Sequence, residues 1–135
     1  MSGLAGSLDA NALLRLIVND IPAQAAAVAV LMNNPRNMYA VSDLAIVEVE
    51  YALRTHYGFN REQIQETLGN LVGHSSIQVN TAFMQRVFQM YTTHPQLSFT
   101  DCCLTAHAET DSAKPLWTFD QKLARQSGGT AQLIA

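Results

Sequence analysis

The chain is short of charge, of cysteine and of long apolar stretches, and each shortage removes a class of protein. Only 14% of its residues are charged and acids outnumber bases 11 to 8, for a formal net charge of -3. No broad basic surface therefore advertises nucleic acid. The longest apolar run, Ala25 to Met32, is eight residues, against the roughly 20 needed to cross a bilayer. Met1 to Ser7 carry no basic n-region, so the expectation is a soluble, untargeted, cytoplasmic protein. The two cysteines, Cys102 and Cys103, are neighbours, and a bridge between them would force a strained turn inside a helix. Reduced thiols are the simpler reading.

What is present is globular. With 135 residues, 48% of them hydrophobic, the chain can bury a core without disulfide or metal staples. No repeat and no stretch biased in Gly, Ser or Pro interrupts it, so a single domain over residues 1–135 is expected.

Short strand patterns alternate with longer helical ones. "LAGSL" is a weak first strand ending at Asp9, "NALLRLIVND" has helical spacing, and Pro22 opens an apolar helix to about Asn33. "MYAV" is a strand, Ser42 is a candidate N-cap for "DLAIVEVEYALRTHYG", and Asn60 with Gln63 begins the next helix in the manner of a capping box. "SIQVN", "PLWTF" and "AQLIA" complete the strands; "TAFMQRVFQMYTTH", "SFTDCCLTAHAETDSA" and "DQKLARQ" complete the helices. This order predicts an α/β fold around a mostly parallel sheet, where sites gather at the C-terminal ends of strands.

Helical geometry sorts the polar residues. In "DLAIVEVEYALR", Glu48 lies about 40° from Leu44, beside Tyr51 and Ala52 and inside the apolar sector, whereas Glu50 falls at about 240° with Asp43 and Arg54. Glu48 is thus predicted to face inward and Glu50 to form a solvated pair with Arg54, the favourable i,i+4 orientation. In "LSFTDCCLTAHA", Asp101 faces away from Cys103 and His107, which fall about 200° and 240° from it. A Cys/His zinc site would also need two more ligands, and no second cysteine pair exists to supply them. His56, His74, His94 and His107 are scattered without ligand spacing, and the cysteines are predicted to be buried as small apolar residues. Asp101 alone reads as a capping box with Ser98. Together with Asp9 after the first strand, Glu48, and Asp120 after the fourth, it becomes part of a carboxylate set that an α/β layer can gather.

These segments carry a resemblance. "LDANALLRL" with Asp9, "VSDLAIVEVEYALR" with Glu48, "LSFTDCCLTAHA" with Asp101 and "PLWTFDQKLA" with Asp120, in that order over residues 4–134, resemble the PIN domain family, and most closely a VapC-type toxin ribonuclease of a toxin-antitoxin pair. The resemblance implies a PIN-like three-layer sandwich, with a five-stranded, mostly parallel central sheet flanked by helices. Ala10 stands where Thr or Ser often follows the first aspartate of the family, and "LAGS" is small and polar for a central strand.

Four carboxylates in one pocket repel unless protonated or neutralised by a cation. All-oxygen ligands select hard ions, so Mg²⁺ or Mn²⁺ is the expected cofactor. Asp9 and Asp101 are the expected central ligands, with Glu48 and Asp120 binding a second ion or holding metal-bound water. Asn11 could orient water or a phosphate oxygen; Arg15, Lys122 and Arg125 are candidates for holding the RNA backbone. The reaction expected is hydrolysis of an RNA phosphodiester by water, and the resemblance implies 5′-phosphate and 3′-hydroxyl ends. Setting the four carboxylates aside leaves 8 basic against 7 acidic residues. A cognate antitoxin and a homodimer are the partners the resemblance implies. The alternative is an inactive PIN-like binding module acting through partner or RNA recognition. A phosphoacceptor receiver domain fits poorly, because the last major strand follows Pro115 and no lone Asp ends a mid-chain central strand.

Overall fold

Helical and strand periodicities become seven helices and five strands among residues 3–134, which the computed structural model describes. The chain divides into two units, Met1–Asn80 and Thr81–Ala135.

The first unit runs β1 (Leu4–Ser7), α1 (Ala10–Val18), α2 (Pro22–Met32), β2 (Met38–Ala40), α3 (Asp43–Thr55), α4 (Arg61–Val72) and β3 (Ile77–Gln78). Its sheet has the order β1-β2-β3 with both pairings parallel. Parallel neighbours cannot be joined by a tight turn, so each step needs a crossover; α1 and α2 make the first, α3 and α4 the second. Ile64, Leu68 and Leu71 recur at helical spacing on α4 and are buried, as are Leu13 and Leu14 of α1 and Ile46, Val49 and Leu53 of α3. Each such side chain contributes about 1.5–3 kcal/mol by leaving water. The weakness of "LAGS" is real: all four residues are exposed, and the register with β2 slips between Leu4 and Gly6. Gly6 has φ +150, a conformation that side chains rarely adopt. Leu8 N–H donates to the Ala40 carbonyl at 3.0 Å, carrying the β1–β2 ladder up to Asp9.

The second unit runs α5 (Thr81–Thr93), α6 (Phe99–Thr110), β4 (Leu116–Thr118), α7 (Gln121–Gln126) and β5 (Ala131–Leu133). Phe99 locks α6 to α5, its ring 5.3 Å from Tyr91 in a T-shaped contact and 6.3 Å from Phe88. Cys102 and Cys103 are buried beside it in sequence, as expected of small apolar residues. Strands β4 and β5 pair in parallel across the α7 crossover. The final residue of "AQLIA" lies outside the described residues.

Every pairing is parallel, but ladders among the described residues form a three-stranded and a two-stranded sheet. They do not form the single five-stranded sheet that the resemblance implies. Strands of two to four residues offer few ladder bonds, and β1 has no large side chain beyond Leu4 to pack. No single helix among the described residues is long and apolar enough to cross a membrane; α1 and α2 together have the composition but are bent by 106°.

Candidate functional site

Three of the four acidic residues stand at helix starts, and local hydrogen bonding explains why. Asp9 is the N-cap of α1, its Oδ1 accepting from Ala12 N–H at 2.9 Å. Asp120 caps α7, with Oδ1 accepting from Leu123 N–H at 3.1 Å, and its own N–H donates to Thr118 Oγ1 at 2.9 Å. Asp101 closes the expected capping box on α6: its N–H donates to Ser98 Oγ at 3.0 Å and its Oδ2 accepts from Ser98 N–H at 3.3 Å. A helix start leaves N–H groups without intrahelical partners, and side-chain oxygens there satisfy them. One oxygen of each aspartate is used in this way. Asp9 Oδ2, Asp101 Oδ1 and Asp120 Oδ2 have no hydrogen-bond partner among the described residues.

The two glutamates of α3 exchange the positions that the helical wheel assigned them. Glu48 is exposed, on a face with Leu44 at 68% and Tyr51 at 56% exposure. Glu50 is 2% exposed, on the packed side with Ala45, Ile46, Val49 and Leu53. The reason is that α3 is apolar nearly all round, so its composition does not select a face; packing against its neighbours does. The ion pair itself forms as expected, Glu50 Oε2 accepting from Arg54 Nε at 2.9 Å, but it is a buried carboxylate held by a half-exposed guanidinium. A charge so placed is tolerated because it is paired.

The first unit carries Asp9, Asn11, Arg15 and Glu48; the second carries Asp101, Asp120, Lys122 and Arg125. Asn11 and Arg15 line a cleft of about 250 Å³ between α1 and α2 with Gln24 and Val28. Arg15 is engaged: Nη1 meets Asp20 Oδ1 at 3.0 Å, Nη2 donates to Tyr57 Oη at 3.1 Å, and Tyr57 Oη donates to Asp20 Oδ2 at 2.8 Å. In the second unit Lys122 Nζ lies 3.8 Å from Asp101 Oδ2, which brings the starts of α6 and α7 together. Arg125 is exposed in the last turn of α7.

The donor chemistry fits a hard divalent cation, since each aspartate keeps one carboxylate oxygen outside its cap and Glu48 is exposed. Among the described residues, however, no three His, Cys, Asp or Glu side chains are grouped closely enough to hold a metal ion. His107 pairs with Asp111 at 2.8 Å on the surface.

A second polar cluster lies deeper in the second unit, and sequence reading misses it. Glu109 accepts from Arg86 Nε at 2.6 Å and Nη2 at 3.0 Å, and from Thr130 Oγ1 at 2.6 Å. These hydrogen bonds from Arg86, opposed by partial burial and assisted by Thr130, hold the Glu109 carboxyl below its ordinary range; the same contact raises Arg86. The partners are 21 and 23 positions apart, so no local pattern announces them.

The family model for the PIN domain matches residues 7–129, running from the end of β1 past α7 and across all four acidic positions. No curated protein and no solved structure matches the chain significantly. The chain belongs to the PIN domain family, whose members are generally nucleases and typically use divalent metals.

Proposed function

We propose that the chain is a metal-dependent endoribonuclease formed as one domain by both units, and the toxin of a toxin-antitoxin pair. The observation that carries this reading is the arrangement of the aspartates. Asp9, Asp101 and Asp120 are each fixed by one oxygen at a helix start with the other unused, within one continuous family match. Asp9 and Asp101 would hold the ion centrally, with Glu48 and Asp120 completing the set. When bound, Mg²⁺ or Mn²⁺ supplies charge neutralisation and lowers the pKa of a water. The side chains do the positioning. The caps fix the orientation of the aspartates, Asn11 orients water or a phosphate oxygen, and Lys122 and Arg125 attract the phosphates that flank the scissile bond. Water's oxygen bonds to phosphorus, the bond from phosphorus to the 3′ oxygen breaks, and that oxygen takes the proton. The products are a 5′-phosphate and a 3′-hydroxyl.

The toxin role, an antitoxin partner and a homodimer are supported by the spacing of the motifs. They are supported too by α2, which is apolar around its circumference, buries only Val28 and leaves Val30 74% exposed. Such surface is the kind protein partners cover. The alternative, an inactive binding module, draws on the lack of a three-ligand group among the described residues. Incubating RNA with the protein in Mg²⁺, Mn²⁺ or chelator separates the two. Cleavage with either metal, none in chelator and the stated end chemistry are expected; intact RNA under every condition supports the binding module instead.

A further inference from the structure

The segment "LWTFD" carries β4 into Asp120 and turns two large rings outward. Trp117, the sole tryptophan, is 59% exposed, and Phe119 is 77% exposed, more than any other large apolar side chain among the described residues. Packing does not account for them: neither ring stacks on another aromatic among the described residues. Their mount is nevertheless rigid. Trp117 is in register with Gln132 of β5, the Thr118 carbonyl accepts from Ile134 N–H at 2.8 Å, and Thr118 Oγ1 accepts from Asp120 N–H at 2.9 Å.

The residues that follow the rings in the chain carry the charges that a polyanion needs. Asp120 follows Phe119 directly, and Lys122 and Arg125, three apart on α7, share a side of that helix. Lys122 also reaches to within 3.8 Å of Asp101. Exposed rings, a carboxylate and cations thus follow one another from β4 into α7 within one unit. Aromatic faces take any base, because every base has a π-face, but a duplex keeps those faces stacked on each other. We infer that Trp117 and Phe119 form a stacking platform that seats unpaired bases of the substrate beside Asp120. This rests on the nuclease reading above.

Trp117 is its own reporter. The full chain is titrated with a single-stranded RNA oligonucleotide and with the same sequence as a duplex, following tryptophan emission and the anisotropy of labelled RNA. Wild type is measured in chelator and Asp101→Asn in Mg²⁺, so that nothing is cleaved. Single strands are expected to quench Trp117 saturably in at least one condition and to bind more tightly than duplex. Phe119→Ala, an exposed change that keeps the reporter, is expected to weaken single-strand binding about 5- to 150-fold. In cleavage assays it is expected to raise KM more than it lowers kcat. Trp117→Phe, which retains a ring, is expected to bind far better than Trp117→Ala, with circular dichroism checking that each variant is folded. Absence of quenching in both conditions, equal binding of duplex, or an unchanged Kd in Phe119→Ala overturns the platform. So does conversion of a dimer to monomer by Phe119→Ala with RNA binding intact, which would assign the rings to a contact between copies. The two readings fail separately. Cleavage without quenching removes the platform alone, and quenching by single strands without cleavage in metal removes the nuclease alone.

Discussion

Glu48 and Glu50 stand two residues apart on α3 with opposite surroundings, and that contrast gives the sharpest residue-level expectations. Glu48→Gln touches an exposed side chain, so stability should change by no more than about 0.5 kcal/mol while RNA cleavage falls strongly. Glu50→Gln weakens a buried, charge-assisted hydrogen bond to Arg54 and should cost about 1.5–3 kcal/mol, seen as a lower Tm. Thermal melts and cleavage rates of the two proteins check both; a larger Tm loss for Glu48→Gln would contradict the observed burial. The aspartates separate in a different way. Asp9→Ala removes the cap on α1 and should lose about 0.5–2 kcal/mol, whereas Asp9→Asn keeps a good N-cap and should lose cleavage with little change in Tm. The caps were legible in the sequence because they act over three residues, as in Ser98–Asp101 and Asn60–Gln63. The glutamates were not. Leu44 and Tyr51 look like core residues on a wheel yet are exposed, and only tertiary packing selects the buried side of a helix that is apolar on most sides.

At the scale of elements, α5, α6 and the start of β5 are tied by Phe99 and by the cluster of Arg86, Glu109 and Thr130. Phe99→Ala should cost about 3–5 kcal/mol and loosen the helix start that carries Asp101. Glu109→Gln should also destabilise, in a pH-dependent way. Arg86 holds the folded-state carboxyl of Glu109 below its ordinary 4.5, so its contribution is complete above that value and is lost as pH falls through the lowered folded one. Urea denaturation midpoints of wild type and Glu109→Gln should therefore differ at about pH 7 and converge in acid, as pH falls through the lowered folded-state value. A difference that persists undiminished into acid would show that the carboxylate charge is not what stabilises this cluster. The succession of elements was readable throughout, from Pro22 opening α2 to the capping box of α4. Sheet pairing was less so, since strands of two to four residues carry too little pattern to fix which neighbours they choose.

At the scale of the whole molecule, the acidic balance of -3 argued against nucleic acid until four of the carboxylates were assigned to a site. The family match over residues 7–129 supports a nuclease more strongly than composition opposes nucleic acid. Sequence order proposes the four acidic positions, and the cations divide: Arg15 is engaged with Asp20 and Tyr57 in its own unit, and Lys122 lies against Asp101. The central claim is that carboxylates, with a divalent ion, hydrolyse RNA. A cleavage time course in Mn²⁺ tests it most directly, comparing wild type, Asp101→Asn and Glu48→Gln on one end-labelled single-stranded RNA after melts confirm that all three are folded. Wild type should cleave, and both variants should be slowed by at least about a hundredfold, the scale on which positioned acid–base groups act. Cleavage by folded Asp101→Asn at the wild-type rate would contradict the claim.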